Sequence, residues 1–220
     1  MTHQNESIHR TAVTGMLTAI AFLAVLIGRI VPNVAGFLSY DPKDAVIAIG
    51  GFIYGPVTAL IITVLVSFIE MLTISSTGIY GMIMNIVSTC SFVIPAAVIY
   101  RRMHSMKGAV AGLVSGVVCM TLMMMLWNYI ITPLYMGVPR SVVAGMMMTT
   151  FMPFNLIKSG INAGIAMLLY KPLITALRKA GLVAASPAGR SAAFNPRYML
   201  IAAGVLIVFV TAFLFLIGVL

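Results

Sequence analysis

Apolar residues run along this chain in long blocks broken by short polar stretches, and the blocks are too continuous for the one-sided helices of a water-soluble domain. The pattern predicts helices over residues 9–30, 43–53, 56–73, 79–101, 108–130 and 142–177, with a last apolar run at 198–220. The punctuation sets the boundaries. NVAGFLSYDPKD follows the first helix, and Tyr54-Gly55-Pro56 separates the second from the third. SSTG precedes the fourth helix, RRMHSMKG the fifth, and ITPLYMGVPR the sixth. The sixth is long enough for its first turns to separate as a loop or a short helix. The second is too short to cross a hydrocarbon core of about 30 Å at about 1.5 Å per residue. It has to tilt, extend into the loop, or sit inside the bundle, because irregular backbone at that depth is tolerated only against protein or a cavity.

One residue violates the pattern. Lys158 stands in TTFMPFNLIKSGINAGIAMLLY, where nearly every neighbour is apolar. A lysine well inside a membrane helix costs about 3 kcal/mol or more. Asn155 lies three residues before it and Asn162 four after it, so helical spacing puts all three on one face. That face points at something other than lipid.

Composition agrees with a membrane protein: 61% of the 220 residues are hydrophobic and only 8% charged, and the mean hydropathy is +1.11. The expected class is an all-α integral membrane protein: a six-helix domain over 1–180, a cytoplasmic linker at 181–197 and an additional transmembrane helix at 198–220. The first run lacks a convincing cleavage site and reads as a retained helix. The net charge of +9 does not mark nucleic acid as a partner, since the bases sit at helix ends rather than in a stripe. They mark orientation instead. An N-terminus inside places Arg10, Arg101, Arg102, Lys107, Lys171, Arg178, Lys179, Arg190 and Arg197 in the cytoplasm, against Arg29, Lys43 and Arg140 outside. Fusing the second and third helices into one span would put Arg101 and Arg102 outside, so the bias also favours a break at Gly55-Pro56.

Catalytic machinery is missing. Lys158-Ser159 lacks the glycines of a phosphate loop, so the chain has no ATPase site of that kind. His3, His9 and His104 all fall on the cytoplasmic side, and no metal-ligand spacing occurs. Cys90 and Cys119 lie within apolar runs and read as small buried hydrophobes. The acids Glu6, Asp41, Asp44 and Glu70 are placed away from the membrane midplane, which argues against a proton- or sodium-coupled carrier.

A binding site remains. Asn128 and Tyr129 end the fifth helix, Asn155 and Lys158 line the sixth, and the loop bearing Phe37, Tyr40 and Asp41 lies above them. An asparagine amide both donates and accepts, so it reads an edge carrying C=O beside N–H, and an ammonium adds donors. Aromatic and methionine side chains cover a flat ring. The pattern points to a planar heterocycle with an imide-like edge. Each feature has a structural alternative: Asn128 bonding a neighbouring helix, Lys158 pairing with Glu70, and Asp41 and Asp44 forming a turn and cap around Pro42. The runs Met123–Met125 and Met146–Met148 cannot all point inward. On the first helix Thr11, Gly15 and Ala19, then Ala24 and Gly28, recur at four-residue spacing, which admits either internal packing or a docking face.

Three segments in order, FLSYDPKDAVIAIGGFIYGP, NYIITPLYMGVPR and PFNLIKSGINAGIAMLLYKP, resemble the riboflavin-specific substrate-binding (S) component of energy-coupling factor (ECF) transporters. The resemblance covers roughly 9–180. It implies a six-helix fold with both termini inside, in a bacterial plasma membrane, and riboflavin as the transported ligand with no cofactor. The ligand would sit in an outward-facing pocket between the loop after helix 1 and the outer parts of helices 4 to 6. Asn128, Asn155 and Lys158 match flavin-contacting positions. The implied partners are a membrane T component and two ATPase subunits, with the first helix docking through small residues, here Thr11, Gly15 and Ala19. The alternatives are an S component for another vitamin or precursor, and a stand-alone secondary carrier. The run at 198–220 departs from the six-helix pattern.

Overall fold

A computed structural model describes residues 3–182 and 196–219. The described residues form α1 (His3–Gly28), α2 (Lys43–Tyr54), α3 (Pro56–Thr73), α4 (Gly78–Met103), α5 (Met106–Met136), α6 (Arg140–Met146), a π-helical turn (Met147–Phe151), α7 (Met152–Lys179) and α8 (Pro196–Leu216). Among the described residues, six stretches are long and apolar enough to cross a membrane: α1, α3, α4, α5, the run from Arg140 to Lys179, and α8. The chain is an all-α, multi-pass membrane protein. The expected linker falls mostly outside the described residues.

The break after α2 lies where the punctuation puts it. Gly55 adopts φ +91°, and Pro56 begins α3 with its ring at the first helical turn, where no N–H is needed. Too short to span, α2 sits inside the bundle among α1, α3, α4 and α7. All but its last two residues are buried, including Lys43 and Asp44. The main core forms around it, with Leu17 of α1, Ile47 and Ile49 of α2, Ile62 of α3 and Phe92 of α4 completely enclosed.

One expectation is corrected. The fifth helix does not stop at residue 130: it continues through Pro133 to Met136 and ends at Gly137, which takes the left-handed conformation at φ +65°. Membrane helices tolerate such a proline because neighbouring groups satisfy the freed backbone. The sixth helix divides as its length allows: a short α6 and one π turn precede α7. Ser105 caps α5 by accepting from the Gly108 N–H at 3.1 Å.

A second, smaller core lies to one side. Val34 of the α1–α2 loop, Phe154, Ile157 and Ile161 of α7, and Phe213 of α8 are buried together.

Candidate functional site

The loop between α1 and α2 folds tightly back onto the bundle. Ala35 and Gly36 both take positive φ, and Val34 and Leu38 exchange backbone hydrogen bonds. Gly28 lets the returning chain pass close: a Cβ there would stand 2.6 Å from the Tyr40 carbonyl. Asn162 then fastens the loop's end. Its Nδ2 donates to the Asp41 carbonyl at 3.2 Å and the Lys158 carbonyl at 3.1 Å. Its Oδ1 accepts from the Ala45 N–H at 3.3 Å. The Ala45 N–H is shared with the Pro42 carbonyl at 3.3 Å, so Asn162 supplies a second acceptor at the start of α2 and joins it to α7.

This arrangement gathers charges that the sequence separates widely. Lys158 Nζ donates to Asp41 Oδ2 at 3.0 Å. Lys43 Nζ donates to both oxygens of Glu70, at 2.7 and 2.9 Å, and lies 3.8 Å from Asp41 Oδ1. Asn85 Nδ2 donates to Glu70 Oε2 at 2.6 Å. The alternative pairing of Lys158 with Glu70 is thus replaced by Lys158–Asp41, because Lys43 occupies the glutamate. Asp44 does not cap α2 either: its Oδ1 accepts from Thr89 on α4 at 2.6 Å, and the N-cap position is held by Pro42, whose side chain makes no hydrogen bond. Burial alone would raise the Asp41 carboxyl, but the Lys158 and Lys43 ammonium groups hold it below the ordinary carboxylate range.

A cavity of about 160 Å³ opens beside this network. Six of the seven residues expected at a binding site line it: Phe37, Tyr40, Asp41, Asn128, Asn155 and Lys158. Tyr129 is the exception. With α5 continuing past residue 130, Asn128, Thr132 and Tyr135 share the inner face, and Tyr129, one residue round, is 41% exposed. Tyr135 lines the cavity instead. Of the methionine runs, Met124 reaches the cavity, while Met123 and Met148 are exposed.

The polar groups facing this space retain capacity. Asn128 spends one N–H on the Met124 carbonyl and accepts from Thr132. Asn155 spends one N–H on the Phe151 carbonyl, the last residue of the π turn. Each amide keeps a second N–H, and Asn155 keeps its carbonyl oxygen. Tyr40 Oη and Asp41 Oδ1 are buried without a hydrogen-bond partner. Donors and acceptors thus both line the cavity, with aromatic edges such as the Phe37–Phe151 pair, 6.0 Å between centroids, beside them.

Sequence reasoning missed Glu70 and Asn85 as lining residues and Lys43 as the partner of Glu70. The available signal was an acid in an apolar third helix, with an asparagine opposite it in the fourth. On α1, Thr11, Gly15 and Ala19 lie along an exposed face, and nothing approaches within 4 Å of a Cβ built on Gly15.

Known proteins share this architecture. The family model for the ECF transporter substrate-specific component matches residues 9–170. The chain is 27% identical over 190 residues to the riboflavin transporter FmnP of Bacillus subtilis, covering 79% of this chain and 97% of that protein. It is 28% identical over 176 residues to the riboflavin transporter RibU of Staphylococcus aureus, covering 77% and 93%. A solved S component of a bacterial ECF transporter superposes with a TM-score of 0.67 at 28% identity, over 80% of this chain and 99% of that one. With the match running from α1 well into α7, the chain belongs to the substrate-specific components of ECF transporters.

Proposed function

We propose that this chain captures riboflavin and hands it to an ECF energising module, consisting of a T component and two ATPase subunits. The observation that carries the reading is the wall formed by Asn128, Asn155 and the Lys158–Asp41 pair. Riboflavin is uncharged at neutral pH and presents an imide edge. Asp41 neutralises the lysine, so the wall offers hydrogen bonds without demanding an anion. The spare asparagine donors and the free Asn155 carbonyl suit C=O beside N–H. The two curated relatives named as riboflavin transporters favour this ligand over another vitamin. The cavity's about 160 Å³ falls short of the roughly 300 Å³ at which small-molecule sites begin. Seating the flavin therefore requires the α1–α2 loop or the side chains beneath it to move.

The reading places the N-terminus inside and the cavity outside. Lys43 drops out of the orientation argument, because it is a buried ion-pair partner rather than a loop charge. That leaves Arg29 and Arg140 outside and strengthens the bias. The exposed Thr11, Gly15 and Ala19 face is the proposed contact with the T component.

Riboflavin titrated into the purified protein should lose fluorescence with a saturable transition, and absence of binding by folded protein would sink the reading. Asn155→Ala should weaken affinity by about tenfold, the worth of one good hydrogen bond to a desolvated ligand. Tyr129→Ala should leave affinity within about twofold of the parent, because surface substitutions away from a site change little. Equal losses in the two variants would contradict the assignment of the α5 face.

A further inference from the structure

The family match ends at residue 170, and four-fifths of this chain accounts for nearly all of the solved S component it superposes on. Helix α8 lies beyond the residues that the family model matches. It packs on α7 along a groove made by two glycines. A Cβ on Gly160 would stand 2.6 Å from the Phe209 ring, and one on Gly164 would stand 3.1 Å from Leu206. The rest of α8 is largely exposed, with Val208 and Phe215 turned outward.

Its C-terminal half does more than follow α7. Phe213 is buried beneath the α1–α2 loop, with its ring 5.5 Å from that of Tyr40. Val31, Val34, Leu38 and Tyr40 from the loop join Phe213 and the neighbouring α8 side chains in the second core. The same loop carries Phe37, Tyr40 and Asp41 on the cavity wall. One face of the loop thus borders the site while the other rests on α8. Lifting the loop separates Tyr40 from Phe213 and forfeits their packing and ring contact.

We propose that α8 is a strut that holds the α1–α2 loop shut over the cavity, bearing on it through Phe213 and Tyr40, and so slows release of the bound ligand. The effect on ligand release rests on the riboflavin reading, whereas the bracing of the loop does not. Two measurements on the full-length chain separate them. In ligand-free protein, Phe213→Ala should accelerate amide hydrogen exchange in loop peptides spanning 29–42, including the mutually bonded Val34 and Leu38, and leave α3 peptides unchanged. In riboflavin-loaded protein, the same variant should release ligand about tenfold faster, the upper worth of an aromatic pair, with the association rate altered by less than about threefold. Phe213→Leu keeps apolar bulk but removes the ring contact, and should shift both readouts in the same direction by less. It serves if the alanine variant does not fold. Phe215→Ala, on the exposed face, should move neither. Unchanged loop exchange in both Phe213 variants would overturn the strut. Faster exchange with an unchanged release rate would overturn its role in retention. If the parent protein binds no riboflavin, the functional reading fails, and hydrogen exchange alone decides whether α8 braces the loop.

Discussion

Lys158→Ala is expected to lower riboflavin affinity by about ten- to a hundredfold, and to destabilise the ligand-free protein as well. Two costs combine. The ligand loses an ammonium donor in a desolvated wall, where a charge-assisted hydrogen bond is worth about 1.5–3 kcal/mol. Asp41, 7% exposed, loses the partner 3.0 Å away, and leaving one member of a buried pair uncompensated costs about 3–5 kcal/mol. Lys43, 3.8 Å from the other carboxylate oxygen, offsets part of that, so the lower end of the range is expected. The thermal unfolding midpoint in detergent reports the second cost and flavin titration the first. Combining Lys158→Met with Asp41→Asn separates them, because removing both charges should recover most of the stability but none of the affinity. A double variant that binds as tightly as the parent would show that the pair only shapes the loop.

Much of this fold was legible because the membrane leaves few options. Apolar run length identified the spans, and Gly55-Pro56 marked the α2–α3 break through elementary backbone chemistry. The site was legible in part for a similar reason, since polar residues inside apolar runs are rare and each needs an explanation. Pairing was not legible. Nothing local specifies that Lys43 rather than Lys158 takes Glu70. That choice follows from α2 being drawn into the bundle, which places Lys43 against α3 and leaves Asp41 to α7. Tyr129 was misplaced by a boundary. Placing ITPLYMGVPR in a loop ended the fifth helix early and hid the Asn128–Thr132–Tyr135 face, although the proline it contains is tolerated inside a membrane helix. Asn162 shares a face with Lys158, as the spacing required, yet its amide is spent on the backbone of Asp41 and Ala45. Spacing fixes direction along one helix and leaves open which neighbour meets it.

The other large effect belongs to a residue that does not line the cavity. Lys43→Ala is expected to destabilise the protein by about 3–5 kcal/mol, at least as much as Lys158→Ala, while the folded fraction keeps riboflavin affinity within about tenfold of the parent. Lys43 is 1% exposed and bonds both oxygens of Glu70. Without it, Glu70 keeps only the Asn85 amide on Oε2. Asp41 loses its second cation, and two buried carboxylates face each other across the space the lysine filled. A neutral amide stabilises a carboxylate far less than an ammonium does. Lys43→Met with Glu70→Gln should restore stability toward the parent by removing both charges, as replacement of buried ion pairs by neutral side chains often does. Unfolding midpoints for the two single variants and the double variant form a cycle whose coupling term measures the pair. Additive losses would mean that Lys43 stabilises the bundle through its packing within α2 rather than through Glu70. Affinity lost in proportion to stability would place Lys43 in the binding wall after all.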